Sequence, residues 1–220
     1  MRFLLKPLAA LLFWLGSALP AHAAVTITFW SHEFGNDFPH AFIQLRGVPD
    51  AGGPPVDINY GYTAKTITPA ILFGAVPARI DIAKPGYLRG SDAQFSMVLT
   101  DPQYREMLSL VAEWAHPDVD YKLNSRNCVH FVKEAARRLG LTGIDHPELM
   151  KKPRSYVKAV ADANRGRVTV IGMDGEDYLV SLPPLPAPAV APTLAVVPPP
   201  VVPTLTGTSS ITSSSDSNRG

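Results

Sequence analysis

Through the first half of the chain, hydrophobic and polar positions alternate with period two. Ala24 to Trp30 (AVTITFW) is alternating and rich in β-branched residues, which predicts a strand. Ser31 to Pro39 (SHEFGNDFP) reads as a polar loop. His40 to Arg46 (HAFIQLR) predicts a second strand, with His40, Phe42, Gln44 and Arg46 on one face and Ala41, Ile43 and Leu45 on the other. A wide turn, GVPDAGGPP, leads into a third strand at Val56 to Thr63, and antiparallel pairing is the simplest connection. Further strands are predicted at Ala78 to Ala83 and Ala93 to Leu99, while Thr66 to Val76 fits no single period.

Beyond residue 100 the period becomes helical. Thr100 and Gln103 have capping-box spacing around an early Pro102, and Tyr104, Met107, Leu108, Val111 and Ala115 follow on one stripe. A second helix is predicted over Cys128 to Leu139, with Asn127 as its cap and Gly140 closing it. A short third helix fits 154–163. Arg167 to Ile171 and Tyr178 to Leu182, joined by GMDGED, read as a final hairpin. Strands, then helices, then a hairpin predict an α+β domain: an antiparallel sheet packed against helices.

The two ends of the chain do not share this pattern. Arg2 and Lys6 precede an apolar run from Leu8 to Leu19, and Ala21-His22-Ala23 supplies small residues before Ala24. This is the layout of a secretory signal peptide over residues 1–23, and its apolar run is shorter than the roughly 20 residues that span a bilayer. No Cys follows the expected cut, which argues against a lipid anchor. Residues 182–220 hold nine of the 22 prolines and end in a Ser/Thr-rich stretch, so a disordered tail is expected there. The 158 residues from 24 to 181 suffice for one core. Loss of Arg2 and Lys6 leaves 18 basic against 19 acidic residues, a net −1. That balance supports neither a nucleic-acid partner nor a basic membrane-binding surface. One cysteine in 220 residues rules out a disulfide scaffold and a Cys-rich zinc module.

The single cysteine is also the sharpest chemical feature. A lone cysteine is usually a small buried hydrophobe. Cys128, however, falls at the predicted first turn of a helix, where free N–H groups and the helix dipole lower a thiol pKa and can serve an oxyanion. A nucleophilic thiol needs a base. His130 projects about 200° around the helix from Cys128, with Lys133, Glu134 and Arg137, whereas Cys128 shares a face with Phe131, Val132, Ala135 and Leu139. His116 and His146 each precede a proline, and His32 falls in the polar loop. His40, held by a strand, reads either as a hydrogen-bonded histidine beneath the helices or as the general base for Cys128. The sequence has no phosphate-binding glycine loop, no H-E-x-x-H and no EF-hand loop. His40 and Cys128 fall short of the three or more protein ligands usual for zinc, so neither metal nor cofactor is expected.

The ordered segments FPHAFIQLRG, DINYGY, LTDPQY and YKLNSRNCVHFVKEAA resemble the circularly permuted papain-like (NlpC-type) cysteine hydrolases, in which the His strand precedes the Cys helix. NCVHFV is similar to the NCEHFV motif of the lecithin:retinol acyltransferase group. The resemblance covers about residues 25–140. It implies Cys128 as nucleophile and His40 as base, while the helix N-terminus near Asn127 would steady the oxyanion. One departure is that no His lies between His40 and His116, where that group carries a second one. The orienting residue is then another polar group: Asn59 or Asp57, which share one face of the neighbouring strand, or Glu33 in the loop.

These readings predict an exported, periplasmic or extracellular cysteine hydrolase. Its substrate would be an amide or ester bond of a cell-wall peptide or a lipid acyl group. The alternative is a non-catalytic envelope module that keeps the fold and binds through its groove or its tail.

Overall fold

In the computed structural model, the described residues are 24–32 and 39–187. The expected signal peptide, most of the expected tail and Glu33 lie outside them.

Among these residues, seven strands form one antiparallel sheet: β1 (Val25–His32), β2 (His40–Gly47), β3 (Val56–Ala64), β4 (Val76–Asp81), β5 (Asp92–Leu99), β6 (Asp120–Tyr121) and β7 (Thr169–Asp174). Their spatial order is β6-β4-β3-β2-β1-β5-β7. Among the described residues, five α-helices accompany them: α1 (Pro85–Arg89), α2 (Asp101–Trp114), α3 (Cys128–Arg138), α4 (Pro153–Ala163) and α5 (Gly175–Ser181). Among the described residues, no helix is long and apolar enough to cross a membrane.

Strand alternation divides the core between the two faces of the sheet. Val25, Ile27 and Phe29 of β1 join Ala41, Ile43 and Leu45 of β2 beneath α2, α3 and α4, which contribute Leu110, Phe131 and Val157. The opposite face carries Trp30, Phe42 and Ala93 against Leu88 of α1 and Tyr178 of α5. There Trp30 stacks on Phe42 at 5.8 Å and meets Tyr178 edge-on at 5.4 Å. Central strands β1 and β2 are therefore buried on both sides.

The predicted helix starts hold because their chemistry is local. Thr100 and Gln103 form the capping box of α2. Asp101 accepts hydrogen bonds from the backbone of Asp50 (2.9 Å) and Ala51 (2.6 Å), pinning the β2–β3 turn. Gly140 follows α3 at φ +71°, a conformation that favours glycine.

The C-terminal hairpin is not formed. Thr169–Asp174 instead pairs with β5, bringing Asp174 opposite Asp92, and the chain then turns into α5. Asp174 accepts a hydrogen bond from Glu176 N at 3.0 Å, which starts the helix, and Tyr178 is buried against Trp30. Two further differences are local. Ser31 and His32 extend β1, and KPGYLRG contains α1. Leu182, read as tail, packs against the second core, and the carbonyl of Pro183 accepts a 2.6 Å hydrogen bond from Arg46.

Candidate active site

The site is built around the start of α3. Asn127 Oδ1 accepts from the backbone N–H of Val129 (2.8 Å) and His130 (3.1 Å). Its Nδ2 donates to the carbonyls of Leu123 (2.8 Å) and Met150 (2.7 Å). All its polar atoms are engaged, so the Asn127 side chain clamps three segments rather than offering a donor to an oxyanion. His130 completes the capping box.

Cys128 projects toward the sheet. Its sulfur faces the backbone N–H groups of Ala41, Val129 and Cys128 itself. These donors and the helix start favour a thiolate, yet burial wins: the residue is 7% exposed within the main core, and its pKa is pushed up to about 11. The depressed thiol pKa expected from helix position is thus overturned by desolvation.

His40 opens β2 on the other face of the sheet. Its Nε2 lies 2.3 Å from where a Cβ on Gly61 would sit, and its ring packs against Phe42 at 6.0 Å. The ring occupies the space left by the missing side chain in the middle of β3. Burial drives its pKa down to about 4; the negative charge of Asp81 opposes that shift and His32 adds to it. The imidazole is neutral at pH 7. His32, opposite His40 in the strand register, accepts or donates a 3.1 Å hydrogen bond with Ser91 Oγ and stacks on Tyr87 at 4.2 Å. It ends β1 rather than lying in a loop.

The sulfur and the imidazole therefore lie on opposite faces of β2 and are not hydrogen-bonded to each other. They meet at a cleft of about 630 Å³ that wraps the first residues of β2 and is bordered by both Cys128 and His40. The cleft also takes in Phe42, Gly61, Asp81 and Tyr87, with an aliphatic wall from residues 67–72.

Neither expected orienting residue on β3 holds His40. Asn59 makes two hydrogen bonds with the backbone of Ala83, accepting from its N–H at 2.6 Å and donating to its carbonyl at 3.1 Å. Asp57 accepts from Gln44 (2.7 Å) and Arg46 (3.1 Å). The carboxylate that acts on His40 is Asp81, the register partner of Gly61, held at 2.9 Å by Arg79. Asp81 and Gly61 were not singled out from the sequence. The signal for Gly61 was present, since an isolated glycine inside a strand marks a close approach. Asp81 is specified only by the β3–β4 register.

Among the described residues, no group of three His, Cys, Asp or Glu side chains comes together as a metal site. Comparisons with protein-family models, curated proteins and solved structures find no match for this chain.

Proposed function

We propose that the cleft is the active site of an exported cysteine hydrolase acting on an amide or ester bond. The observation that carries this reading is that a helix-starting thiol and a neutral imidazole border one cleft. At neutral pH the thiol is protonated and the imidazole holds a free lone pair, so the chemistry is general-base rather than ion-pair catalysis. His40 swings off Gly61 toward the end of β2 and takes the thiol proton as the sulfur attacks the carbonyl carbon. The N–H groups facing the sulfur steady the developing negative charge. The leaving amine or alcohol departs with the proton from His40. Water then attacks the thioester, releasing the acid and restoring the thiol. Asp81 acts as a positioning residue for the imidazole.

Labelling with an activated acyl ester tests this. Cys128 acylates in the native chain, and His40→Ala slows acylation by about a hundredfold or more while Cys128→Ala abolishes it. Because His40 must be neutral, acylation falls as pH drops through about 4. Equal labelling rates with and without His40 would remove the base from the scheme. Export is tested separately by the N-terminus of the secreted chain, expected at Ala24.

A second reading, the non-catalytic binding module, is favoured by the placement of sulfur and imidazole on opposite faces and by the raised thiol pKa. In that case the acylation rate follows only the thiolate fraction, climbing toward pH 11 with no dependence on His40.

A further inference from the structure

The connection between β3 and β4 reverses the usual order of apolar inside and polar outside. Residues 65–70 and 72–75 are all exposed, and Ile71 between them is half-buried. A Cβ on Gly74 would meet nothing within 4 Å, so the tip stands clear of the fold. Yet the segment reads KTITPAILFGA, with Ile67, Leu72 and Phe73 exposed by 56%, 67% and 87%. No acidic residue occurs from Ala64 to Ile80, a local composition that the near-zero charge of the whole chain conceals. Backbone polarity at the tip is partly cancelled by a 3-10 turn at Pro69–Leu72. Ile71 N–H donates to the carbonyl of Thr68 at 3.1 Å and Phe73 N–H to that of Ala70 at 3.0 Å, while Pro69 has no N–H.

The sheet places two cations at the base of this loop. On one side of β4, Lys65 N–H donates to the carbonyl of Pro77 at 2.8 Å. On the other side Tyr121 pairs with Val76, so Lys122 follows beside Ala75. Two strand spacings separate the lysine backbones, roughly 10 Å. Asp120, opposite Pro77, is the carboxylate at that level. The three tip side chains uncover on the order of 350 Å² of apolar surface, less than half of the roughly 800 Å² that each partner buries in a stable protein interface. A bilayer needs no matching surface: every methylene that enters the acyl boundary is favourable, and cations behind it meet anionic headgroups.

We infer that the β3–β4 loop docks on an anionic lipid bilayer, with Leu72 and Phe73 entering the acyl boundary and Lys65 and Lys122 at the headgroups. Ile67 and Leu72 also border the cleft, so docking sets its mouth against the lipid surface. This goes beyond the hydrolase reading and does not depend on the thiol.

The test uses the full chain carrying Phe73→Trp, read against the native signal of Trp14, Trp30 and Trp114. The probes are vesicles of phosphatidylcholine alone and of phosphatidylcholine with phosphatidylglycerol, each also prepared with brominated acyl chains. On the anionic vesicles the added indole emission shifts to the blue and is quenched by bromine. Residues 1–23 are common to every variant, so differences between variants report the loop. Adding Leu72→Ser raises the lipid concentration at half-maximal shift about tenfold. Adding Lys65→Gln and Lys122→Gln together raises it about tenfold on anionic vesicles and leaves phosphatidylcholine vesicles unaffected. Raised salt acts like the lysine substitutions. An added indole that stays in water on anionic vesicles overturns the inference, as does insertion that ignores the lysine substitutions. So does a concentration-dependent dimer lost in Phe73→Ser without insertion into vesicles, which assigns the loop to a second copy of this chain.

Discussion

Gly61→Ala is the most direct perturbation of the site. A Cβ there would lie 2.3 Å from His40 Nε2, 3.2 Å from Cδ2 and 3.3 Å from Cε1. Ordinary contact begins near 3.4 Å, so the ring must retreat by about 1 Å. Its retreat is limited by Phe42, stacked beside it. Overpacking of this kind costs about 1–3 kcal/mol. Gly61 does not have a positive φ, so the substitution carries no backbone strain of its own. With His40 first replaced by Ala, the same change should be neutral or stabilising by about 0.5 kcal/mol through the unfolded state. Urea unfolding of the native chain, both single variants and the double variant gives the coupling directly, expected at about 1.5–3 kcal/mol. Acylation of Cys128 should not fall in Gly61→Ala, because the base acts only after its ring has left Gly61. If Gly61→Ala costs the same with and without His40, the ring does not occupy the glycine gap and the positioning argument fails.

Acid stability offers a second test. His40 titrates near 4 when folded and 6.5 when unfolded, so the unfolded chain binds the extra proton first. The neutral ring therefore contributes stability above pH 6.5 that is lost as pH falls toward 4, about 3 kcal/mol in all. Urea unfolding measured across that window should lose this slope in His40→Phe; an unchanged slope refutes the assignment. Asn127→Ala removes an N-cap and leaves the carbonyls of Leu123 and Met150 without their donor. Its expected cost is about 2–3 kcal/mol by thermal or urea unfolding, and a loss below about 0.5 kcal/mol would show that the clamp is dispensable.

Particular residues show why some of this was legible and some was not. Thr100 with Gln103, and Asn127 before Cys128, announce their helices because a cap is satisfied within four residues. The alternation of HAFIQLR placed His40 with Phe42, and the helical stripe placed Cys128 with Phe131; both assignments hold. The last segment misled because GMDGED suits a turn, whereas pairing with β5 and the burial of Tyr178 decide the outcome. Asn59 and Asp57 do share a face, but the register gives them to Ala83 and to Gln44 with Arg46.

By itself, then, the chain's periodicity determined most of the strands, the three longer helices and the residue type at the head of α3. These follow from contacts between near neighbours. Only the tertiary structure decided which side of the sheet α3 covers, and hence that the thiol and the imidazole approach their cleft from opposite faces of β2. It also decided that burial outweighs the helix dipole at Cys128, because desolvation depends on every chain segment packed around a group and not on its own neighbours in sequence.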